Sequence, residues 1–243
     1  MQIRSFDMRL ALAAAVVLPL VSCQTMGHEL LEDAHASYER GDYAGAAELY
    51  EEVIAVDSQP ATAHFLLASS YDNLYRPSRQ GKADNDRLLE LAVDHYSTAL
   101  EWETDAAKRM RTMQYLAAAY LRLAGSYMRN QQFEPAIEAL RMRATLEPDN
   151  PEAFYTIGTY YWEKAFRDVR LSDEEEGEYI LLGMREMDRA LALRADYMEA
   201  LVYKNILLRM QANRSEDIER RAQLIAEANA LRNRAEELAG RRR

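Results

Sequence analysis

The chain has one cysteine among 243 residues, with 4 histidines, 9 glycines and 6 prolines. A lone thiol excludes a disulfide framework and any cysteine-based zinc site. Few turn-forming residues and few β-branched runs leave little from which to build a sheet, so the core is expected to be helical. No His-Glu-x-x-His, no pair of histidines at helical spacing, no glycine-rich phosphate loop and no Gly-x-Ser-x-Gly elbow is present. His64 falls at a helix-packing position and His35 at a groove-facing one, and both suit packed or solvated side chains better than metal ligands. Neither an enzyme nor a cofactor or metal is expected. A basic excess is missing too: 30 Lys and Arg stand against 40 Asp and Glu, a net charge of −10. Nucleic acid, whose phosphates must be neutralised by Lys and Arg, is excluded as a partner. What the chain does have is 49% apolar residues, with 15 Tyr and 11 Met, enough to bury a real core.

The single cysteine sits in "LPLVSCQTMG", Leu18 to Gly27. Before it, Met1 to Arg9 carries Arg4 and Arg9 against Asp7, and Leu10 to Leu20 is an uncharged apolar run of 11 residues. That run is too short for a spanning helix, which needs about 20 residues, but has the layout of a secretory signal. Leu20-Val21-Ser22-Cys23 resembles the bacterial lipobox, which implies a signal peptide over 1–22, cleavage before Cys23 and lipid attachment at its thiol. Gln24 resembles the outer-membrane sorting pattern, which implies lipid anchoring at the periplasmic face of that membrane. The other reading of a lone cysteine is a buried, unmodified thiol. Removing Arg4, Arg9 and Asp7 takes +1 from the chain, so −10 becomes −11 in the processed form. Gln24 to Gly27 would then be a tether of roughly 15 Å at full extension, holding the first repeat near the lipid.

Internal repetition organises the rest. "GDYAGAAELYEEVIAVDSQP" (41–60), "QQFEPAIEALRMRATLEPDN" (131–150) and "MREMDRALALRADY" (184–197) share one plan: a small residue, a large apolar residue, an apolar pair and an acidic or proline-bearing turn. Leu67-Ala68 with Tyr71, Leu123-Ala124 with Tyr127 and Ile157-Gly158 with Tyr161 repeat a second pattern, in which a small residue lets two helices approach and an aromatic fills the space beside them. These segments resemble the two helices of the tetratricopeptide repeat (TPR). The resemblance implies an all-α, right-handed solenoid of about five helical hairpins. The solenoid is expected over 23–212, with repeats near 27–60, 61–104, 106–150, 151–197 and 198–212 onward. A C-terminal capping helix and basic tail are expected over 213–243.

Two repeats depart from that plan. Tyr71 to Ala92 is 21 positions and Tyr161 to Gly183 is 22, against 9 in a standard repeat, so insertions of 12 and 13 residues fall in the turn of the hairpin. Both, "YRPSRQGKADND" and "FRDVRLSDEEEG", open with aromatic-Arg-x-x-Arg and close in acid. The expected form is a longer first helix, a loop, and an acid-rich second-helix start, with Ser172 at that start and Pro77 ending the earlier helix. Arg76, Arg79, Arg167 and Arg170 are either locally salt-bridged or form matching basic tips that touch a partner or lipid headgroups. "RALALRADYMEALVYKNILLRMQA" (189–212) is also similar to a small group of bacterial TPR proteins with prolonged hairpins, a likeness that brings no activity with it. Leu224, Ala228, Leu231, Ala235 and Leu238, spaced 4, 3, 4, 3, give the last helix one apolar face for capping or for dimerisation, with Ser215 as its expected N-cap.

Within the TPR family the first helices line a partner-binding groove. Carried across, the groove positions are His35 and Tyr38; Phe65, Ser69, Asp72 and Asn73; Leu121, Met128 and Arg129; Tyr155, Thr159, Trp162 and Glu163; and Val202, Ile206 and Arg209. The set is aromatic and apolar with scattered charge, suiting an extended or helical segment, unless neighbouring repeats bury the aromatics. It lacks the Asn and Lys pattern of carboxylate-clamping TPR domains, since Ser69 and Thr159 stand where those use Asn. The resemblance implies a monomeric, membrane-anchored scaffold for protein interaction in envelope assembly, with an unidentified protein or peptide partner. The alternative is an accessory protein of a solute transporter that pairs with a substrate-binding protein.

Overall fold

The computed structural model describes residues 17–56 and 61–241, with side chains from His28 onward. Residues 1–16 of the expected signal segment, the Cys23 side chain, the turn at 57–60 and the last two arginines lie outside the described residues. Among the described residues ten α-helices run in order: α1 (Val17–Glu39), α2 (Tyr43–Val56), α3 (Ala61–Leu74), α4 (Ala83–Trp102), α5 (Ala106–Arg129), α6 (Phe133–Leu146), α7 (Pro151–Arg167), α8 (Asp173–Leu193), α9 (Met198–Arg214) and α10 (Ile218–Arg241). There is no strand among the described residues, and none of these helices is long and apolar enough to cross a membrane.

The chain forms two compact units, 1–119 and 120–243, with α5 contributing to both. In the first, α1 packs on α2, α2 on α3 and α3 on α4. In the second, α6 packs on α7, and α7, α8, α9 and α10 follow, each on the one before. This is the all-α arrangement of stacked TPR-type hairpins that the repeats predict.

Small residues set the helix spacing. Ala46, Ala68, Ala92, Ala124, Ala136 and Ala190 are fully buried, so these helices meet without an intervening layer of large side chains. Gly158 on α7 and Gly183 on α8 carry this furthest. A Cβ on Gly158 would lie 2.7 Å from the Met187 methyl and 3.2 Å from the Gly183 carbonyl oxygen. One on Gly183 would lie 3.4 Å from the Gly158 carbonyl oxygen. Around such contacts pack Leu67, Tyr50 and Tyr96 in the first unit and Ile157, Ile180 and Met187 in the second, all fully buried.

The turns after α1 and α5 share one geometry. The Gly41 N–H donates to the Tyr38 carbonyl at 2.9 Å and Asp42 N–H to Ser37 at 3.0 Å; Gln131 and Gln132 repeat this onto Met128 and Tyr127 at 3.0 and 2.8 Å. Both are left-handed helix ends, with φ of 77° at Gly41 and 59° at Gln131. Asp42 then accepts the Gly45 N–H at 3.1 Å and starts α2.

The two insertions take different forms. α3 is no longer than α2, contrary to the expected extension of the first helix, and the added residues form a loop and lengthen the start of α4. Pro77–Arg79 is a 3-10 turn, where proline's fixed φ is tolerated. The loop is stitched by buried side chains of α4. Asn85 accepts the Arg76 N–H at 2.9 Å and donates to the Arg76 carbonyl at 3.2 Å; Asp86 accepts the Gly81 N–H at 2.9 and 3.1 Å. In the second insertion α7 does run on to Arg167, and Ser172 caps α8 in a reciprocal capping box with Glu175.

Two local expectations need correction. α1 runs unbroken through Gln24–Gly27, so these residues are helical and span roughly 6 Å, not an extended tether. Ser215 ends α9, and the side chain that starts α10 is Asp217, which accepts the N–H groups of Glu219 and Arg220 at 2.9 and 3.2 Å. Along α10, Leu224, Ala228 and Ala235 are buried, and Leu224 and Ala228 share a cluster with Leu208 and Ala212 of α9. Much of the apolar stripe is thus covered within the chain.

Candidate functional site

In the second unit, the side chains that α7 and α9 present form a connected run of rings. Tyr155 meets Tyr197 at 5.1 Å and Tyr203 at 5.6 Å between ring centroids. Trp162 meets Tyr203 edge-on at 5.0 Å and stacks on Phe166 at 5.4 Å and 10°. Residues 155, 162 and 166 lie seven and four apart on α7, so helical periodicity puts them on one face. The run grades from the buried Tyr197 to Phe166, which is 63% exposed. Burial, then the neighbouring Tyr203 and Tyr197, push the Tyr155 hydroxyl up to about 12, so it stays protonated and able to donate. The Trp162 Nε1–H is buried with no hydrogen-bond partner among the described residues, an unspent donor within an apolar surface.

Beside this run, a cavity of about 380 Å³ opens between the α5–α6 turn and the end of α7, lined by Met128, Phe133, Glu163, Lys164, Arg167, Asp168, Val169 and Arg170 among others. It draws together Met128 and Glu163 of the expected groove with Arg167 and Arg170 of the expected tip. Asp168 organises the charges: Arg170 donates through Nε and Nη2 at 2.8 and 2.9 Å, and Lys164 Nζ lies at 2.8 Å. Hydrogen bonds from Arg170 and then Lys164 hold the Asp168 carboxyl well below the usual range, and the same pairing raises Arg170. Lys164 also lies over the Phe133 ring at 5.2 Å. Arg167 pairs with Glu163 at 3.3 Å. Val169, between these ion pairs, is 94% exposed.

The groove residues of the first unit are more self-satisfied. Tyr38 hydrogen-bonds Ser69 at 2.6 Å, which buries Ser69 and removes it from the expected binding surface. Phe65 packs on Tyr96 and Tyr115, both at 5.4 Å, under the Arg111 guanidinium at 5.0 Å. Asp72 is half-buried, and the exposed Asn73 returns its amide to the Ser69 carbonyl at 2.7 Å. His35 lies edge-on to Tyr50 at 5.9 Å. Of the remaining positions, Arg129 is exposed, and Arg209 is half-buried with its guanidinium on Asn205 and Asn229 at 2.9 and 2.7 Å.

The matching Arg-x-x-Arg motifs are not structurally alike. Tyr75 is 8% exposed whereas Phe166 is 63% exposed. Arg79 pairs with Asp84 at 2.5 Å, and Arg76 is held through its backbone by Asn85. Hence the first tip is a closed, polar loop and the second carries exposed apolar side chains.

Two features escaped the sequence reading. Tyr203, which joins the rings of α7 to α9, lies one residue beyond the expected groove position Val202; the aromatic itself was the available signal. His64 and His95, 31 residues apart, meet through their Nδ1 atoms at 2.9 Å, with rings stacked at 5.2 Å. Tyr71 stacks on His95 and donates to Glu51. No cluster of three or more His, Cys, Asp or Glu side chains among the described residues is arranged to hold a metal.

No protein-family model and no curated protein matches the chain. Among solved structures, it is similar to a crystal structure of MamA at 15% identity and a TM-score of 0.46, over 87% of this chain and 91% of that one. YrrB, described as a TPR protein with an unusual peptide-binding site, matches at 13% identity and a TM-score of 0.42, over 87% and 90%. MamA from Desulfovibrio magneticus RS-1 matches at 13% and 0.41, over 85% and 95%.

Proposed function

We propose that this protein is an interaction scaffold that holds a segment of another protein against the aromatic face of α7 and α9. The observation that carries this reading is the graded run from Tyr155 through Tyr203 and Trp162 to the exposed Phe166. Rigid aromatic rings offer large contact area at small entropic cost, and aromatic anchors dominate binding energy at protein interfaces. Glu163, Arg167 and the Asp168 cluster flank that face with fixed charge, which orients a partner more than it adds affinity.

The same proposal places the scaffold on a membrane through a lipid on Cys23, at the periplasmic face of the outer membrane and in the service of envelope assembly. Its support is the lipobox-like Leu20-Val21-Ser22-Cys23 and the charged-then-apolar segment before it. Two or more acyl chains on one residue anchor stably, whereas a single chain is marginal.

Site-specific photo-crosslinking from position 166 in living cells, with mass spectrometry of the adducts, tests the first part. A discrete adduct that disappears in Trp162→Leu is expected; a crosslinking pattern identical in the two chains would overturn it. Fractionation of Cys23→Ser tests the second, with release from the membrane expected and full retention refuting the anchor.

A further inference from the structure

The second unit has another concave surface, away from the aromatic run. α6, α7 and α8 enclose a groove of about 920 Å³ whose floor includes Ala144, Phe154 and Ile157 and whose rim carries Arg141, Arg185 and Arg189. In a chain of net charge −10, three converging guanidinium groups are a local exception.

The protein holds each of them in place. Arg141 donates to the Tyr161 hydroxyl at 2.9 Å. Glu186, only 4% exposed, receives Arg189 at 3.0 Å and Arg185 at 3.4 Å. Arg189 also lies over the Phe154 ring at 4.1 Å. Glu138, the other carboxylate nearby, approaches Arg141 only to 4.0 Å. The arginine side chains nevertheless remain 53%, 60% and 55% exposed, so each anchored fork has donor groups turned to water. Three exposed guanidinium groups, braced by the buried Glu186, the Tyr161 hydroxyl and the Phe154 ring, form a preorganised receptor for anionic groups.

The geometry points to a second docking surface, which takes an acidic segment of a partner protein, its carboxylates on Arg141, Arg185 and Arg189. Charge complementarity selects this occupant, because a guanidinium fork matches a carboxylate in shape as well as sign. Glu186 is a positioning residue here, fixing the two forks of α8.

The test is fluorescence anisotropy on the purified full chain with two labelled peptides, (Glu-Glu-Leu)₄ and (Lys-Lys-Leu)₄. Binding of the acidic peptide alone is expected, weakening as NaCl rises from about 50 to 500 mM. In Arg141→Gln/Arg185→Gln, which leaves Arg189 on Glu186, its Kd is expected to rise roughly tenfold, a loss of about 1.4 kcal/mol shared by two exposed charge pairs. A circular-dichroism melt within about 3 °C of wild type establishes that the variant is folded; if it is not, the two-peptide comparison on the wild type decides. Phe166→Ser, on the other face, is expected to leave this affinity unchanged. Equal binding of both peptides, no binding of either, or an unchanged Kd in the folded double variant overturns the proposal. So does binding to phosphatidylglycerol vesicles, but not phosphatidylcholine vesicles, without peptide binding, which would assign the groove to lipid headgroups.

Discussion

The Nδ1 atoms of His64 and His95 face each other at 2.9 Å across the α3–α4 hairpin, so one ring donates the proton that the other accepts. The arrangement requires at least one neutral ring. Burial, then the neighbouring His95, lower His64; burial lowers His95, with Asp94 and Glu51 pulling the other way. With folded values below the ordinary value of 6.5, the unfolded chain takes up protons first as the pH falls. Stability is therefore complete above that value and declines as the pH drops below it. Thermal melts at pH 7.5, 6.5 and 5.5 are expected to show a falling midpoint, with a shallower fall in His64→Gln/His95→Gln. An equal slope in both chains would trace the effect to other groups.

Gln131 occupies, at φ 59°, the position that Gly41 holds at 77° in the corresponding turn. A side chain in the left-handed region costs about 1 kcal/mol that glycine avoids. Gln131→Gly is expected to raise the free energy of unfolding measured by urea titration by about that amount, and Gly41→Gln to lower it. A loss of stability in Gln131→Gly would mean that its side chain matters more than its backbone.

Gly158→Val is expected to destabilise the second unit by about 1–3 kcal/mol through overpacking against Met187 and the Gly183 backbone. Denaturant titration followed by Trp162 fluorescence reads the change. A neutral result would show that α7 and α8 can separate freely.

The Tyr50 hydroxyl is fully buried with no hydrogen-bond partner among the described residues. Removing an unsatisfied polar group while keeping the ring is expected to be neutral or stabilising, by up to about 1–2 kcal/mol. A drop in melting temperature for Tyr50→Phe would reveal a bound water or partner at that oxygen.

The hairpin fold was legible because it rests on short-range rules. The small residue at Ala68, Ala124 or Gly158, with an aromatic three residues on, encodes the close approach of two helices directly, and Ser172 with Glu175 encodes a helix start. The form of the insertions was not legible. Tyr75-Arg76 and Phe166-Arg167 share the aromatic-Arg pattern, yet Asn85 and Asp86 fold the first loop inward while Asp168 braces the second outward. Which aromatics face a partner depends on contacts between hairpins, such as Trp162 on Tyr203, and the His64–His95 pairing depends on a contact 31 residues apart. Periodicity within one helix carries no information about either.

The glycine contact between α7 and α8 also bears on how these hairpins tolerate change. With backbone against backbone at Gly158 and Gly183, the register of the two helices is fixed at one crossing point, as by a pin. Residues 159–182 form the arm of the hairpin beyond that pin, and Trp162 on Tyr203 and Arg214 on Glu176 tie both of its helices to α9. Residues can be added at the turn around the exposed Val169, short of those ties, with least disturbance of the stack. The scaffold can therefore acquire new tips at little cost to its foundations, while a single methyl group at the pin would be felt throughout.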